Sequence, residues 1–291
     1  MANKILITGA SGGFGYLISK SLIENGHQVV GTMRSTKGKN EQVANKLKSI
    51  GVQLIELDVT DEESVNNGVT KAIEVLNGLD VLINNAGIGA FGIQELFSPE
   101  QMLKVYDVNV VGVQRMMRAT LPHFRKKGKG TVLYTSSLLG RMVVPFYGVY
   151  SNTKFALESL AEHYRTELSG FGVESCIIEP GGFPTTFVDN LMKPSEDIRA
   201  LEFGDFANAP AISLQHFEDA MENNPEQRPQ KVADAVVNIL NIPFGDRPFR
   251  TTVDYLGMGV HIEKYNEMIH QITKGVYTNF GTEGMMQVKK S

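Results

Sequence analysis

Only one cysteine, Cys176, occurs in the 291 residues, so no internal disulfide can form. It sits in the apolar run Cys176-Ile177-Ile178 and reads as a small buried residue. A single thiol fits a reducing compartment. No apolar run approaches the roughly 20 residues a membrane span needs. A signal peptide is not expected either, because Lys4-Ile5-Leu6-Ile7 is too short and too soon followed by glycine. Basic clusters long enough to mark a nucleic-acid face are missing, and the net charge is −4. Neither His-Glu-x-x-His nor paired cysteines occur, and the six histidines are scattered. No metal is therefore expected, and His163 is read as structural. Repeats, low-complexity tracts and splitting linkers are absent as well. What remains is a soluble, cytoplasmic protein with no membrane or nucleic-acid partner, long enough for one large α/β domain or two small ones.

Glycine, by contrast, is concentrated near the start. Ile5-Leu6-Ile7 reads as a strand, and Thr8-Gly9-Ala10-Ser11-Gly12-Gly13-Phe14-Gly15 follows it at once. Leu17, Ile18, Leu22 and Ile23 then recur at helical spacing. Strand, glycine-rich turn and helix form the context of a dinucleotide-binding loop, in which a pyrophosphate approaches the backbone at a helix N-terminus. The next strand, Val29 to Met33, ends beside Arg34, with Lys37 close behind. An acidic side chain at that strand end would select NAD. Met33 stands there instead, and the Arg34 guanidinium is placed for a 2′-phosphate. NADP(H) is the expected cofactor.

Val52–Leu57 reads as a third strand running into Asp58-Val59, and Thr60-Asp61-Glu62-Glu63 as a capping box that opens a helix. Asp80-Val81-Leu82-Ile83 is a fourth strand, leading into Asn84-Asn85-Ala86-Gly87. Ser98-Pro99-Glu100-Gln101 starts a further helix that carries Asn109 in its middle, where Pro122 should kink or close the last turn. Val173–Glu179 adds another strand. Alternating strands and helices of this length predict an α/β fold: a Rossmann-type doubly wound parallel sheet, one domain, with a helical substrate-binding lobe.

The chemistry concentrates between Thr131 and Glu167. Thr131–Thr135 reads as a buried strand, with Ser136 and Ser137 at its end. Tyr150 and Lys154 are placed on one face of the following helix, about one turn apart. A free tyrosine has a pKa of about 10. An ammonium one turn away should lower it toward the working range, while Ser137 bonds the same substrate oxygen. The arrangement is a proton-transfer device aimed at a carbonyl or an alcohol.

With these motifs together, the sequence resembles the classical short-chain dehydrogenase/reductase family. The resemblance rests on Thr8, Gly9, Gly13 and Gly15 of a Thr-Gly-x-x-x-Gly-x-Gly loop, on Asn84 to Gly87, and on Asn109. Ser137, Tyr150, Lys154, Pro180-Gly181 and Thr185 complete it, in family order, over roughly residues 3 to 255. It implies that Tyr150 passes the proton, Ser137 holds the substrate oxygen, Lys154 assists Tyr150 and binds the nicotinamide ribose, and Asn109 helps a water relay protons to Lys154. Ser137 is preferred to Ser136 for its spacing to Tyr150. The implied cofactor-binding set is Thr8, Gly9, Ser11, Gly13, Phe14, Gly15, Arg34, Asp58, Val59, Asn85, Ala86, Gly87, Tyr150, Lys154, Pro180, Gly181 and Thr185. Ser137, Leu139, Phe146, Tyr147, Tyr150, Phe183 and Phe187 are expected to line the substrate pocket. A homodimer or homotetramer is implied by the same analogy.

From Gly182 to about Pro229 aromatic residues mix with acidic ones such as Glu196, Glu202 and Glu218, as suits a lobe over an apolar pocket. A last helix from Pro229, a strand Phe249–Leu256 and a tail from about 258, with a helix near Ile262–Ile272, complete the chain. The favoured activity is NADP(H)-dependent carbonyl reduction or alcohol oxidation on a hydrophobic substrate. The alternatives are an epimerase or dehydratase on a nucleotide-sugar, weakened by the forms of the two glycine motifs, and a non-catalytic NADP(H) redox sensor. The second-strand analysis has a direct test. Arg34→Asp should weaken NADPH binding about tenfold or more, about 1.4 kcal/mol, in a fluorescence titration; unchanged affinity contradicts it.

Overall fold

The computed structural model describes residues 2–195 and 197–290. Glu196, counted above among the acidic residues of the lobe, lies outside the described residues. The strands are β1 Lys4–Ile7, β2 Gln28–Met33, β3 Gln53–Glu56, β4 Val81–Asn84, β5 Gly130–Thr135, β6 Val173–Pro180 and β7 Arg250–Val253. The helices are α1 Gly13–Glu24, α2 Glu41–Ser49, α3 Glu62–Leu76, α4 Pro99–Tyr106, α5 Gly112–Lys127, α6 Gly148–Ser169, α7 Asp197–Ala200, α8 Ala209–Glu222, α9 Gln230–Asn241 and α10 Gly259–Asn279.

The strands make one seven-stranded parallel sheet in the order β3-β2-β1-β4-β5-β6-β7. Helices cover both faces, so a central strand such as β5 is buried along Val132-Leu133-Tyr134 instead of alternating with polar residues. Successive side chains still point to opposite faces. Ile5 and Ile7 join Ile18, Leu22, Leu47, Val236 and Leu240 in a core under α1, α2 and α9. Leu6 joins Leu82, Val113, Phe124, Tyr134, Leu157 and Ile177 in a core under α3, α5 and α6.

β1 pairs with β2 on one side and β4 on the other, so the chain reverses its direction of travel across the sheet there. That reversal opens a crevice at the C-terminal strand ends, the usual ligand position in such sheets. The segments that follow β1, β4, β5 and β6 all leave from this edge. Together with the segments after β2 and β3, which bear Arg34, Asp58 and Val59, they carry the residues singled out above.

Several local expectations need correction. The helix α2 was not anticipated: its sequence is largely polar, and only Ala44 and Leu47 are buried. The N-cap of α3 is Asp61, which accepts from the Ser64 amide at 2.9 Å, while the Thr60 hydroxyl donates to Asp58 at 2.7 Å. Ser98 and Gln101 do form the reciprocal capping box, with Pro99 at the first helical position. The helix read as continuous through Asn109 is interrupted by a π-helical turn, Asp107–Val111, between α4 and α5. Pro122 does not end α5, which runs on to Lys127 with Leu121 and Phe124 anchored in the core. The tail helix is longer than expected, and Lys289 bonds the Ser169 carbonyl at 2.9 Å, so the chain end is packed against α6. Among the described residues no helix is long and apolar enough to cross a membrane.

Phe124 is fully buried beneath Gly130, where a Cβ would collide with its ring. Phe124→Ala should therefore cost about 3–5 kcal/mol in denaturant unfolding. A loss below about 1 kcal/mol would contradict the placement.

Candidate active site

The turn after β1 is held by its contacts with the turn after β4. The Thr8 hydroxyl accepts from the Asn85 and Ala86 amides, both at 3.0 Å, and Asn85 Nδ2 donates to the Thr8 carbonyl at 3.0 Å. Gly9 has φ +69°, and a Cβ there would lie 2.9 Å from Ala86 Cα. A Cβ on Gly15 would collide with the Gly9 carbonyl. These two glycines let loop, helix and strand end meet at backbone distance.

Gly12 caps α1 in an extended conformation, with open space where its side chain would be. No side chain caps the helix, and its first turn holds no acidic residue. The amides of that turn are thus free to receive an anion at the positive end of the helix. A dinucleotide pyrophosphate fits this cradle. Thr185 closes over it, since a Cβ on Gly13 would lie 3.0 Å from Thr185 Cβ. Phe14 turns inward and packs edge-on against Phe183 at 5.7 Å, in the core beneath. Phe183 accordingly lies in the core under α1 and α9, apart from the aromatic group that covers Tyr150.

Along the crevice, Arg34 is exposed at the end of β2. Burial works to raise the Asp58 carboxyl, yet the Thr60 amide and hydroxyl, with Arg34 and Arg115 nearby, hold it below its ordinary value. The Val59 carbonyl accepts from Arg115 at 3.2 Å. Arg34 and Asp58 thus face the same end of the crevice. At the other end, the Gly181 amide bonds the Val253 carbonyl at 2.8 Å and fixes the turn after Pro180.

Asn109 is 1% exposed, which the π-helical turn makes possible by aiming it inward. Its amide donates to the Ile88 carbonyl at 2.9 Å and to Thr153 Oγ1 at 3.0 Å, and its oxygen accepts from the Ile88 amide at 2.9 Å. It ties α6 to the turn after β4. Lys154 Nζ donates to the Thr135 carbonyl at 2.8 Å and lies 5.5 Å from the centre of the Tyr150 ring. The adjacent serines diverge. Ser137 Oγ accepts from the Leu139 amide at 3.1 Å and donates to the Pro180 carbonyl at 3.4 Å, close enough to the Tyr150 hydroxyl to influence its titration. Ser136 is buried beneath Gly140, facing α6. Ser137 is the serine beside Tyr150.

Burial sets the electrostatics. It pushes the Lys154 ammonium down to about 8, opposed by the Glu158 carboxylate one turn along. It also raises the Tyr150 phenol well above its ordinary value, with Tyr147 adding and the Ser137 hydrogen bond opposing. Desolvation of the phenolate thus works against the lowering expected from Lys154.

Over Tyr150 lies an apolar group. Leu139, Phe146, Tyr147 and Phe187 belong to it, together with Phe91, Val144, Leu191 and Leu214. The Phe187 ring is 5.5 Å from that of Tyr150, which is only 8% exposed. Phe91 was not singled out in the sequence, although its position in the turn after β4 carries the signal. Leu191 sits in an irregular part of the lobe, where spacing says nothing about direction, and Leu214 lies on α8.

Residues 3–196 match the family model for short chain dehydrogenase. The 3-ketodihydrosphingosine reductase of Bacteroides thetaiotaomicron is 36% identical over 252 residues, covering 86% of this chain and 87% of that protein. Human 17-beta-hydroxysteroid dehydrogenase type 1 is 34% identical over 263 residues, covering 87% of this chain and 78% of its own length. A short-chain dehydrogenase of Streptomyces avermitilis superposes with a TM-score of 0.75 at 26% identity, covering 97% of this chain and 98% of its own. Among similar solved structures, some hold NADP and another holds NADH. The glycine cradle, the switch-point crevice and these matches agree: the chain belongs to the short-chain dehydrogenase/reductase family, whose members are NAD(P)-dependent oxidoreductases.

Proposed function

We propose that the protein is an NADP(H)-preferring carbonyl reductase or alcohol dehydrogenase acting on a hydrophobic ketone, aldehyde or secondary alcohol. The observation that carries this reading is the meeting of Ser137, Tyr150 and Lys154 at the crevice edge, beneath an apolar cover. The nicotinamide supplies hydride transfer when bound. Ser137 holds the carbonyl oxygen and Tyr150 donates the proton that completes the alcohol. Burial keeps the Tyr150 phenol protonated but also makes it a weaker acid, so the Ser137 hydroxyl and the nearby Lys154 charge are needed to draw the proton across. Lys154 places a positive charge close to the oxygen on which negative charge develops, in a site shielded from water. Asn109 holds α6 in place through Thr153. The apolar cover excludes water and selects a hydrophobic body, in keeping with relatives named for a sphingosine precursor and a steroid.

Arg34 supports NADP(H) over NAD(H), since an exposed guanidinium at the end of β2 suits a 2′-phosphate and no carboxylate takes that strand end. A redox sensor would need the cradle alone. The convergence of Ser137, Tyr150 and Lys154 is unnecessary for it.

The test is NADPH oxidation with a panel of apolar ketones and aldehydes. Turnover should appear with at least one of them. Tyr150→Phe should lower kcat by about a hundredfold or more while NADPH binding, read by fluorescence, is retained. Tight NADPH binding with no turnover across the panel would instead support the sensor.

A further inference from the structure

Behind the site lies a charged cluster that the proposed chemistry does not use. Glu179 is fully buried in β6, directly before Pro180 and Gly181. Its Oε1 lies 3.3 Å from Arg250 Nε and 3.9 Å from Arg141 Nε, and its Oε2 accepts from Thr252 at 3.0 Å. Arg250 also pairs with Glu158 at 3.0 Å and Glu162 at 3.2 Å on α6. Burial pushes the Glu179 carboxyl up to about 7, with Glu158 adding and Arg250, Thr252 and Asn266 opposing.

The contact from α10 to this cluster is unexpected. That helix is mostly exposed, with only Gly259 and Ile262 buried. It nevertheless sends the Asn266 amide inward, where Nδ2 donates to Glu179 Oε2 at 2.6 Å and Oδ1 accepts from Arg141 Nε at 2.8 Å. The neighbouring Tyr265 ring lies 4.8 Å from the Arg141 guanidinium. Arg141 ends the short turn that begins at Ser137, where the Gly140 amide bonds the Ser137 carbonyl and the Arg141 amide the Leu138 carbonyl, both at 2.9 Å. Ser137 Oγ in turn bonds the Pro180 carbonyl at 3.4 Å, next to Glu179. The contacts close a ring: Ser137, Arg141, Asn266, Glu179, Pro180 and back to Ser137.

We infer that Asn266 is a positioning residue for the active site, joining the Ser137–Arg141 turn to the end of β6 so that α10 helps set where the Ser137 hydroxyl points. An amide suits the place because it accepts from a guanidinium and donates to a carboxylate at once. Alanine loses both bonds. Aspartate keeps the Arg141 bond but sets two carboxylates against each other. The inference rests on the reading of Ser137 and Tyr150 as the reacting pair.

The test compares Asn266→Ala, Asn266→Asp and the exchanged double variant Asn266→Asp with Glu179→Gln, all in the full chain. The exchange restores a donor opposite an acceptor and keeps the number of charges. Three readouts are taken: amide hydrogen exchange at Gly140 and Arg141, the NADPH dissociation constant, and kcat with the best ketone of the panel. Both single variants should speed exchange in the turn about tenfold and lower kcat about tenfold or more, with NADPH affinity changed less than about twofold. The double variant should recover both effects. Unchanged exchange in the turn, or kcat falling with no recovery in the double variant, would overturn the inference. If the wild-type protein turns over no ketone, the proposed activity fails by itself; exchange in the turn then still decides whether Asn266 positions Ser137.

Discussion

A lysine ammonium buried at the carboxyl edge of the sheet constrains everything around it. Lys154 is 6% exposed, yet its charge must be solvated by something other than water. The Thr135 carbonyl, freed where β5 ends, takes one of its protons at 2.8 Å, and Glu158 supplies an opposing charge one turn along α6. The geometry of α6 against β5 follows from that need. So does the placement of Tyr150, which shares the helix face with Lys154 and is carried under the apolar cover with it. Glu158 in turn requires Arg250, and Arg250 draws in Glu179 and Glu162. One buried charge thus leads to a network that reaches from the glycine crevice to the C-terminal helix.

The crevice imposes a second condition. Phosphate binding asks for helix amides that nothing else occupies, and the loop after β1 provides them by having no capping side chain at Gly12. The close approach of Gly9 and Gly15 brings the same helix onto the turn after β4. Thr8 then serves both strands, accepting from two amides of that turn. The glycine loop and the Ser137, Tyr150 and Lys154 group therefore share their supports. A shift of β4 relative to β1 would disturb both.

Much of this was legible in the sequence, for identifiable reasons. Parallel strands buried on both faces are apolar runs, so β1, β2, β4, β5 and β6 stand out without any alternation. Tyr150 and Lys154 lie one turn apart on a helix, so local periodicity put them on one face, while Ser137 was assigned through the family resemblance and its spacing to Tyr150. Phe183 misled because an aromatic beside a cofactor site can pack either way, and it turned toward Phe14. Asn109 could not be placed from helix propensity, since only the π-helical turn aims it inward. Helix α2 was hidden by its polar surface. The ring through Asn266 was invisible for another reason: its members are far apart in sequence, and an asparagine in an exposed helix carries no signal of what it touches.

The measurement that tests this account most directly is an NMR titration of the Lys154 side chain, followed through its 13Cε shift in the cofactor-free protein. Burial beside Tyr150 predicts a midpoint at about 8, so the group is charged below that pH and neutral above it. A midpoint near the ordinary lysine value of about 10.4 would mean that water reaches the ammonium. The constraint that organises the site would then be absent.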